Sequence, residues 1–236
     1  YSNTVPDRST GFDKNGHLVL KKNGENGYNY YLEGEHIKKS DGTVVEGYTV
    51  DAYFNISQSD GTSSNLFFKD AAFQVQRTSY LYLTKSEDNG KSWSAPMLIQ
   101  AKTADESAYL VAPGRGITTS DGTIIFPCYS YNGSEDSQVS SFIYSKDNGV
   151  TWTRSSGIKN TWSSENELVE LSDGTLRCFF RNGNSQICYA DYSNGTWGKY
   201  VQTGISNRSN CQISALKYSQ KINGKDAIII SCPTDT

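Results

Sequence analysis

The chain has 236 residues, of which 36% are hydrophobic and 12% aromatic, and its formal net charge is −3 at pH 7. This charge offers no basic surface for nucleic acid, and no apolar run approaches the roughly 20 residues that a membrane span requires. Tyrosine and glycine are abundant, with 16 and 21 residues, whereas methionine occurs once. This composition favours short strands joined by tight turns over helices.

The cysteines and histidines do not form a metal-binding pattern. The five cysteines are widely spaced, at Cys128, Cys178, Cys188, Cys211 and Cys232. None lies in a C-x-x-C pair, and their odd number argues against a complete disulfide framework, so we expect buried free thiols. The histidines, His17 and His36, lie near the other end of the chain, and His36 is expected in an exposed loop.

Residues 1–73 are polar and rich in turns. Short apolar runs at residues 17–21, 47–54 and 65–69 are separated by Asn-Gly and Asp-Gly pairs, which favour hairpins. No catalytic constellation occurs in this part of the sequence. We therefore predict a small β subdomain at residues 1–73 that is inserted next to a larger β domain at residues 74–236.

From residue 78 onward, apolar strands recur, and two of them precede the same eight-residue pattern. The octets are S-E-D-N-G-K-S-W at residues 86–93 and S-K-D-N-G-V-T-W at residues 145–152. In S-x-D-x-G-x-[ST]-W, the Asp can accept backbone N–H bonds within its turn, the Gly supplies a positive φ, and the Trp covers the hairpin. A weaker copy, D-Y-S-N-G-T-W, begins at Asp191. Such repeats, with several strands between copies, predict one sheet per repeat and hence a β-propeller.

The segment 162–181, W-S-S-E-N-E-L-V-E-L-S-D-G-T-L-R-C-F-F-R, is predicted to form a β-hairpin around a turn at residues 172–175. Glu165 and Arg181 then lie side by side at the open end of the hairpin. On these residues alone, the pair could be a solvated cross-strand ion pair worth about 0 to 1 kcal/mol. Taken alone, the residues favour this ion pair over the alternative, which is a binding site.

These motifs resemble those of the bacterial sialidases, exo-α-sialidases of the six-bladed β-propeller type. The octet resembles the Asp-box of that family, and the segment from Glu165 to Arg181 resembles the one that carries the catalytic glutamate and the second of three substrate-binding arginines. A-P-G-R-G-I at residues 112–117 and I-I-F-P at residues 124–127 also match. The resemblance implies that residues 74–236 form central blades of an incomplete propeller.

The resemblance implies that a tyrosine attacks the anomeric carbon of a terminal sialic acid. A neutral phenol with a pKa near 10 is a weak nucleophile, so a carboxylate must accept its proton, and the resemblance assigns this role to Glu165. Arg181 would bind the carboxylate of the sugar. Tyr129, Gln138 and Ser163 correspond to residues that line the substrate pocket, with Gln138 near the glycerol side chain of the sugar. Tyr129 and Gln138 could alternatively be a core aromatic residue and a surface amide.

Two other charged residues near these motifs, Glu167 and Arg115, are not assigned a functional role. Glu167 has the same strand parity as Glu165, but its interval to Arg181 differs from that of the family's base. Arg115, in a Pro-Gly-Arg-Gly turn, is expected to be structural. The mechanism implies no metal and no organic cofactor.

The first and third substrate-binding arginines, the acid/base aspartate and the nucleophilic tyrosine of the family have no counterpart in this sequence. We therefore expect the chain alone to be inactive, and its unpaired sheet edges could pair with other chains. The function implied is that of a sialidase acting on sialylated glycans, secreted or at the cell surface. Two alternatives remain. One is a non-catalytic propeller that binds glycans or proteins. The other is a trans-sialidase, which transfers sialic acid either to another sugar or to a hydroxyl group of the sialic acid's own glycerol side chain.

Overall fold

The computed structural model describes residues 8–133, 137–207 and 211–233, and these residues form β-strands and no α-helix. The strands are β1 (Leu18–Lys22), β2 (Tyr30–Glu33), β3 (His36–Lys39), β4 (Tyr48–Val50), β5 (Asn55–Gln58), β6 (Ser63–Asn65), β7 (Phe73–Val75), β8 (Leu81–Leu83), β9 (Met97–Ile99), β10 (Ala108–Val111), β11 (Ile117–Thr118), β12 (Ile124–Tyr131), β13 (Val139–Ser145), β14 (Thr153–Arg154), β15 (Asn166–Glu170), β16 (Leu176–Arg181), β17 (Gln186–Ser193), β18 (Thr196–Trp197), β19 (Val201–Ser206), β20 (Ser214–Lys217) and β21 (Ile228–Ser231). The predicted all-β class is confirmed. Within the described ranges, no helix could span a membrane.

The chain divides into two compact units, one that ends at Ser107 and one that begins at Ala108. The first unit contains the antiparallel sheet β3-β2-β1-β7, the sheet β4-β5-β6 and the hairpin β8-β9. Alternate residues Leu18 and Leu20 of β1 are buried in its core. The boundary expected at residue 73 stays a prediction, although β7 starts at Phe73 and pairs with β1.

Turn chemistry shortens two of the strands expected in the first unit. The run 47–54 ends as a strand at Val50, because the Asp51 carboxylate accepts the N–H groups of Tyr53 and Asn55 at 2.8 and 2.9 Å. The strand expected at residues 65–69 was wrong, since β6 ends at Asn65, whose side-chain oxygen starts a turn. His36 is exposed as expected, but it begins a strand and does not lie in a loop.

The second unit contains two larger antiparallel sheets and the pair β20-β21. One sheet has the order β10-β12-β13-β14 with β11 also on β12, and the other has the order β15-β16-β17-β18 with β19 also on β17. Buried side chains of both sheets meet in one apolar cluster that includes Phe142 of β13 and Phe180 of β16. This arrangement of successive small sheets is what a propeller requires.

The first octet has the geometry that its sequence predicts. One carboxylate oxygen of Asp88 accepts the N–H groups of Lys91 and Ser92 at 3.0 and 2.9 Å, and the other accepts the Ser92 hydroxyl at 2.6 Å. Gly90 adopts a φ of 84°, and the six-membered ring of Trp93 lies against it. The side-chain and backbone hydrogen bonds from Ser92 lower the pKa of Asp88 to about 2.

The second octet repeats the two contacts between the Asp carboxylate and the seventh residue, whereas the third copy does not. Asp147 accepts the N–H of Thr151 at 2.8 Å and its hydroxyl at 2.5 Å. The Asp191 carboxylate instead forms a two-pronged ion pair with Arg177 of the neighbouring strand, at 2.7 and 2.8 Å. The altered spacing after Asp191 therefore changes a turn-capping residue into a cross-strand partner.

All five cysteines lie in the described part of the chain and are free thiols. The three that lie on central strands, Cys128, Cys178 and Cys188, are buried, as expected, whereas Cys211 and Cys232 are partly exposed. Burial raises the pKa of the Cys128 thiol to about 12.

Candidate active site

The hairpin β15-β16 places Glu165 and Arg181 together. Its register runs from Asn166 opposite Phe180 to Glu170 opposite Leu176, and Gly174 supplies the positive φ of the connecting turn. Beyond the last paired residues, the N–H of Arg181 donates to the carbonyl oxygen of Glu165 at 3.0 Å. The hairpin expected from the sequence is therefore present, with both residues at its open end.

The side chains of the two residues also touch. A guanidinium N–H of Arg181 donates to the carboxylate of Glu165 at 3.0 Å, and the two side chains are 13% and 23% exposed, respectively. Both side chains are thus largely withdrawn from solvent, which is inconsistent with a fully solvated pair on a sheet edge. The partial burial makes the charge–charge interaction stronger than it would be in water.

The guanidinium of Arg181 has a second neighbour, the indole ring of Trp162. Its central carbon lies 5.0 Å from the ring centroid, within the range of a cation–π interaction. A planar cation held between a carboxylate and an aromatic ring has a restricted orientation. Trp162 is a residue of this site that the sequence did not identify, since its position at the start of the hairpin segment carries no motif of its own.

Tyr129 of β12 lies near this pair. Burial is the largest cause of its raised pKa, and the two charges act in opposite directions, the Glu165 carboxylate raising the pKa and the Arg181 guanidinium lowering it. The phenol therefore stays protonated at neutral pH and can serve as a hydrogen-bond donor. The structure therefore places Tyr129 close to Glu165 and Arg181, and its role as a lining residue of a substrate pocket stays a prediction.

Ser163 and Gln138 contact each other through the backbone. The N–H of Ser163 donates to the carbonyl oxygen of Gln138 at 3.1 Å. Ser163 is fully buried, and its hydroxyl oxygen accepts the N–H of Ser140 at 2.8 Å. The contacts of Ser163 therefore hold the chain before Glu165 against β13, which is a supporting position.

Asn166 is a further residue that the sequence did not identify. Its side chain is 2% exposed, and its amide group donates to the carbonyl oxygens of Cys128 and Ser164, both at 2.9 Å. These carbonyls immediately precede Tyr129 and Glu165 in the chain. A single buried amide thus connects the backbone of both residues across two sheets. Its partner Cys128 is remote in sequence, so no local pattern could have shown this role.

Glu167 and Arg115 form a separate contact. Glu167 is 1% exposed, its carboxylate accepts the N–H of Arg115 at 3.3 Å, and burial raises its pKa. The carboxylate lies so close to Gly114 that a Cβ at that position would force the Glu167 side chain to shift. This carboxylate fastens the Pro-Gly-Arg-Gly turn to β15.

The described residues contain no group of three or more His, Cys, Asp or Glu side chains placed to hold a metal ion. The side chains of the candidate site supply a carboxylate from Glu165, a guanidinium from Arg181 and a protonated phenol from Tyr129. The carboxylate can accept a proton, the guanidinium can bind an anion, and the phenol can donate a hydrogen bond.

Comparison with known proteins shows the family of the chain. The sequence matches the BNR repeat-like domain over residues 52–225. The chain belongs to the BNR repeat-like domain family. This BNR chain is 32% identical to Sialidase B of Streptococcus pneumoniae, in an alignment that covers 98% of the chain and 38% of that protein. It is 35% identical to the anhydrosialidase of Macrobdella decora over 183 residues, which cover 73% of the chain and 24% of that protein.

A solved structure is similar over almost the whole BNR chain. The intramolecular trans-sialidase from Ruminococcus gnavus, in complex with oseltamivir carboxylate, matches it with a TM-score of 0.85 and 27% identity, over 97% of this chain and 54% of that one. The expected resemblance to bacterial sialidases and the propeller fold are confirmed. The chain spans between 24% and 54% of the length of these three relatives.

Proposed function

We propose that this BNR chain is part of a glycoside hydrolase that releases terminal sialic acid from sialylated glycans. The observation that carries the proposal is the 3.0 Å contact between Glu165 and Arg181 in a largely buried setting beside Tyr129. A proton acceptor and a carboxylate-binding cation are the two groups that the reaction requires at one place. The names of the relatives, among them a sialidase and an anhydrosialidase, support the same reaction class.

In the proposed reaction, Glu165 is the general base. A tyrosine outside this chain attacks the anomeric carbon with its phenolic oxygen, and its proton passes to the Glu165 carboxylate. The bond to the leaving glycosidic oxygen breaks, and that oxygen takes a proton from an acid that also lies outside this chain. Water then attacks the same carbon and gives one proton to the conjugate base of that acid, the bond to the tyrosine breaks, and Glu165 returns its proton to the phenol.

Arg181 binds the carboxylate of the sugar in this proposal. Its guanidinium is already oriented by Glu165 and by the ring of Trp162, so little side-chain freedom is lost when the substrate binds. Tyr129 and Gln138 line the site, and Ser163 holds the preceding backbone in place. Because sialylated glycans are displayed outside cells, we also propose that the protein acts in a secreted or surface-bound form.

A second candidate reaction is intramolecular transfer. The similar structure from Ruminococcus gnavus is an intramolecular trans-sialidase, and the similar protein from Macrobdella decora is an anhydrosialidase. In this variant a hydroxyl group of the sialic acid itself, in place of water, attacks the anomeric carbon. Mass spectrometry of the released sugar separates the two reactions, because the internal product is lighter by one water molecule.

The test uses the full-length polypeptide that carries this chain, assayed on a fluorogenic sialoside. Glu165→Gln removes the proton acceptor but keeps the shape, so we expect a loss of rate on the order of 100-fold or more. Glu167→Gln, the same change two residues along β15, is the matched control and retains activity. Thermal melting checks the fold of both. An inactive wild type, or a Glu165→Gln variant of normal rate, would instead favour a non-catalytic propeller that binds glycans or proteins.

A further inference from the structure

The first unit contains a cavity that the proposed function does not use. It has a volume of about 620 Å³, within the range of roughly 300 to 1,000 Å³ that is typical of small-molecule sites. One wall is the hairpin β8-β9, with Tyr82 directly opposite Leu98. Other lining residues, including Tyr53 and Phe67, come from the turns next to strands β4, β5 and β6.

Large aromatic side chains around this cavity are exposed to an unusual degree. Tyr53 is 53% exposed, Phe67 39%, Tyr82 68% and Trp93 58%. Single exposed aromatic residues need no explanation, but several that line one cavity, with polar groups among them, indicate a recognition site. The polar groups here include the hydroxyl of Thr84.

Trp93 differs from its counterpart in the second octet. The indole N–H of Trp152 donates to the carbonyl oxygen of Gly149 at 3.1 Å, and that of Trp197 donates to Ser156 at 2.6 Å. For the indole N–H of Trp93, no acceptor is found among the described residues. Since the same motif can satisfy this N–H internally, its free state in Trp93 leaves a hydrogen-bond donor available to a ligand at the cavity.

The charge of the lining limits the kind of ligand. Among the described residues that line the cavity, none carries a formal charge. Aromatic rings offer apolar faces, and the hydroxyl groups of Tyr53, Tyr82 and Thr84 offer donors and acceptors. A sugar ring has the matching chemistry, since one face presents C–H groups and its rim presents hydroxyl groups. A charged ligand would lose its hydration without gaining a partner.

We infer that this cavity is a binding site for a neutral pyranoside, with Trp93 and Tyr82 as the stacking surfaces. The inference is independent of the proposed sialic acid chemistry, because it concerns residues of the first unit only. A polypeptide partner fits the observations less well, since an apolar protein surface would leave the hydroxyl groups and the indole N–H of the cavity without partners.

The test measures saccharide binding by the full-length protein. Lactose, N-acetyllactosamine and maltose serve as neutral probes, followed by tryptophan fluorescence and by saturation-transfer NMR. At least one of them should bind with a Kd of about 10 mM or tighter, and Trp93→Ala and Tyr82→Ala should each weaken that binding by about tenfold or more. Trp152→Phe, at the matching position of the second octet, should leave it unchanged.

Arg181→Ala separates this site from the candidate active site. If the cavity binds the sugar, this variant binds the neutral probes like the wild type, whether or not the protein proves to be a sialidase. The inference is overturned if no probe binds, if Arg181→Ala abolishes binding, or if Trp152→Phe weakens it as much as Trp93→Ala. It is also overturned if sedimentation shows that the aromatic cavity mediates self-association and the sugars do not compete.

Discussion

Glu165 and Arg181 are bonded to each other twice, once through their backbones and once through their side chains, each time at 3.0 Å. The backbone contact belongs to the hairpin and the side-chain contact belongs to the candidate site. The pairing of β15 with β16 therefore positions both the proposed base and the proposed anion-binding group. Loss of either side chain leaves the other charged group partly buried without this partner.

Replacement of Arg181 should impair substrate binding more than proton transfer. In the full-length protein, we expect Arg181→Lys to lower kcat/KM on a sialoside by on the order of 100-fold, mainly through KM, because an ammonium group cannot form the planar two-pronged contact with a carboxylate. Steady-state kinetics check this. Arg177→Lys, at a cross-strand ion pair elsewhere on β16, is the control and should keep a KM close to that of the wild type. A normal KM for Arg181→Lys would contradict the proposed role.

The stability of the fold should depend on both the charge and the hydrogen bonds of the side chain at position 166. Asn166→Ala removes a buried amide that donates two hydrogen bonds, and we expect a loss of about 1 to 3 kcal/mol in the free energy of unfolding. Asn166→Asp preserves the shape but turns a carboxylate oxygen toward two carbonyl oxygens, so it should be at least as destabilising. Urea unfolding of both variants measures this. A mild Asn166→Asp variant would show that only the volume of the side chain matters.

The octets should make the protein sensitive to acid. Hydrogen bonds from the hydroxyl and the N–H of Thr151 are the largest causes that lower the pKa of Asp147 to about 2, below its value of 3.8 in a model compound. A carboxylate whose pKa falls on folding stabilises the fold above the unfolded pKa, and this stabilisation is lost as the pH falls through the folded pKa. The difference in melting temperature between the wild type and Asp147→Ala should therefore be large at pH 7 and shrink between about pH 4 and pH 2. A difference that is constant over this range would contradict the assignment.

The thiols should fall into two classes. In the native protein, Cys211 and Cys232 should react readily with a thiol reagent at pH 8, whereas Cys128, Cys178 and Cys188 should react only on unfolding. For Cys128, burial raises the pKa to about 12, so almost no thiolate forms at that pH. Mass spectrometry after native labelling identifies the modified residues, with denatured protein as the control. Rapid labelling of a buried thiol would mean that its sheet opens readily.

The hairpin and the two octets could be predicted because each is encoded locally. The Gly174 turn and the alternating pattern fix the register of β15 against β16, and that register alone brings Glu165 to Arg181. The octets combine a capping Asp with a Gly in one short segment. The copy at Asp191 shows the limit of this reasoning, since its carboxylate pairs with Arg177 of another strand and does not cap its own turn.

Contacts between distant segments could not be predicted. Asn166 acts through the carbonyl oxygen of Cys128, and Trp93 shares a cavity with Tyr53, two residues that lie far apart in the sequence. Nothing in the strand pattern distinguishes a buried asparagine from a core residue, and an Asp-x-Gly turn looks the same whether or not its Trp lies beside a cavity. Such roles arise only when sheets pack together.

The alternation of side chains in β16 has a consequence for changes in chain length. Adding or deleting one residue between Leu176 and Arg181 would shift the register by one and turn the guanidinium to the opposite face of the sheet, away from Glu165. At the far end of the same hairpin, residues 172–174 of the turn are exposed, and a change in the length of the turn does not alter which face of β16 carries Arg181. The number of residues between the turn and the candidate site is therefore fixed, whereas the turn itself can accept insertions.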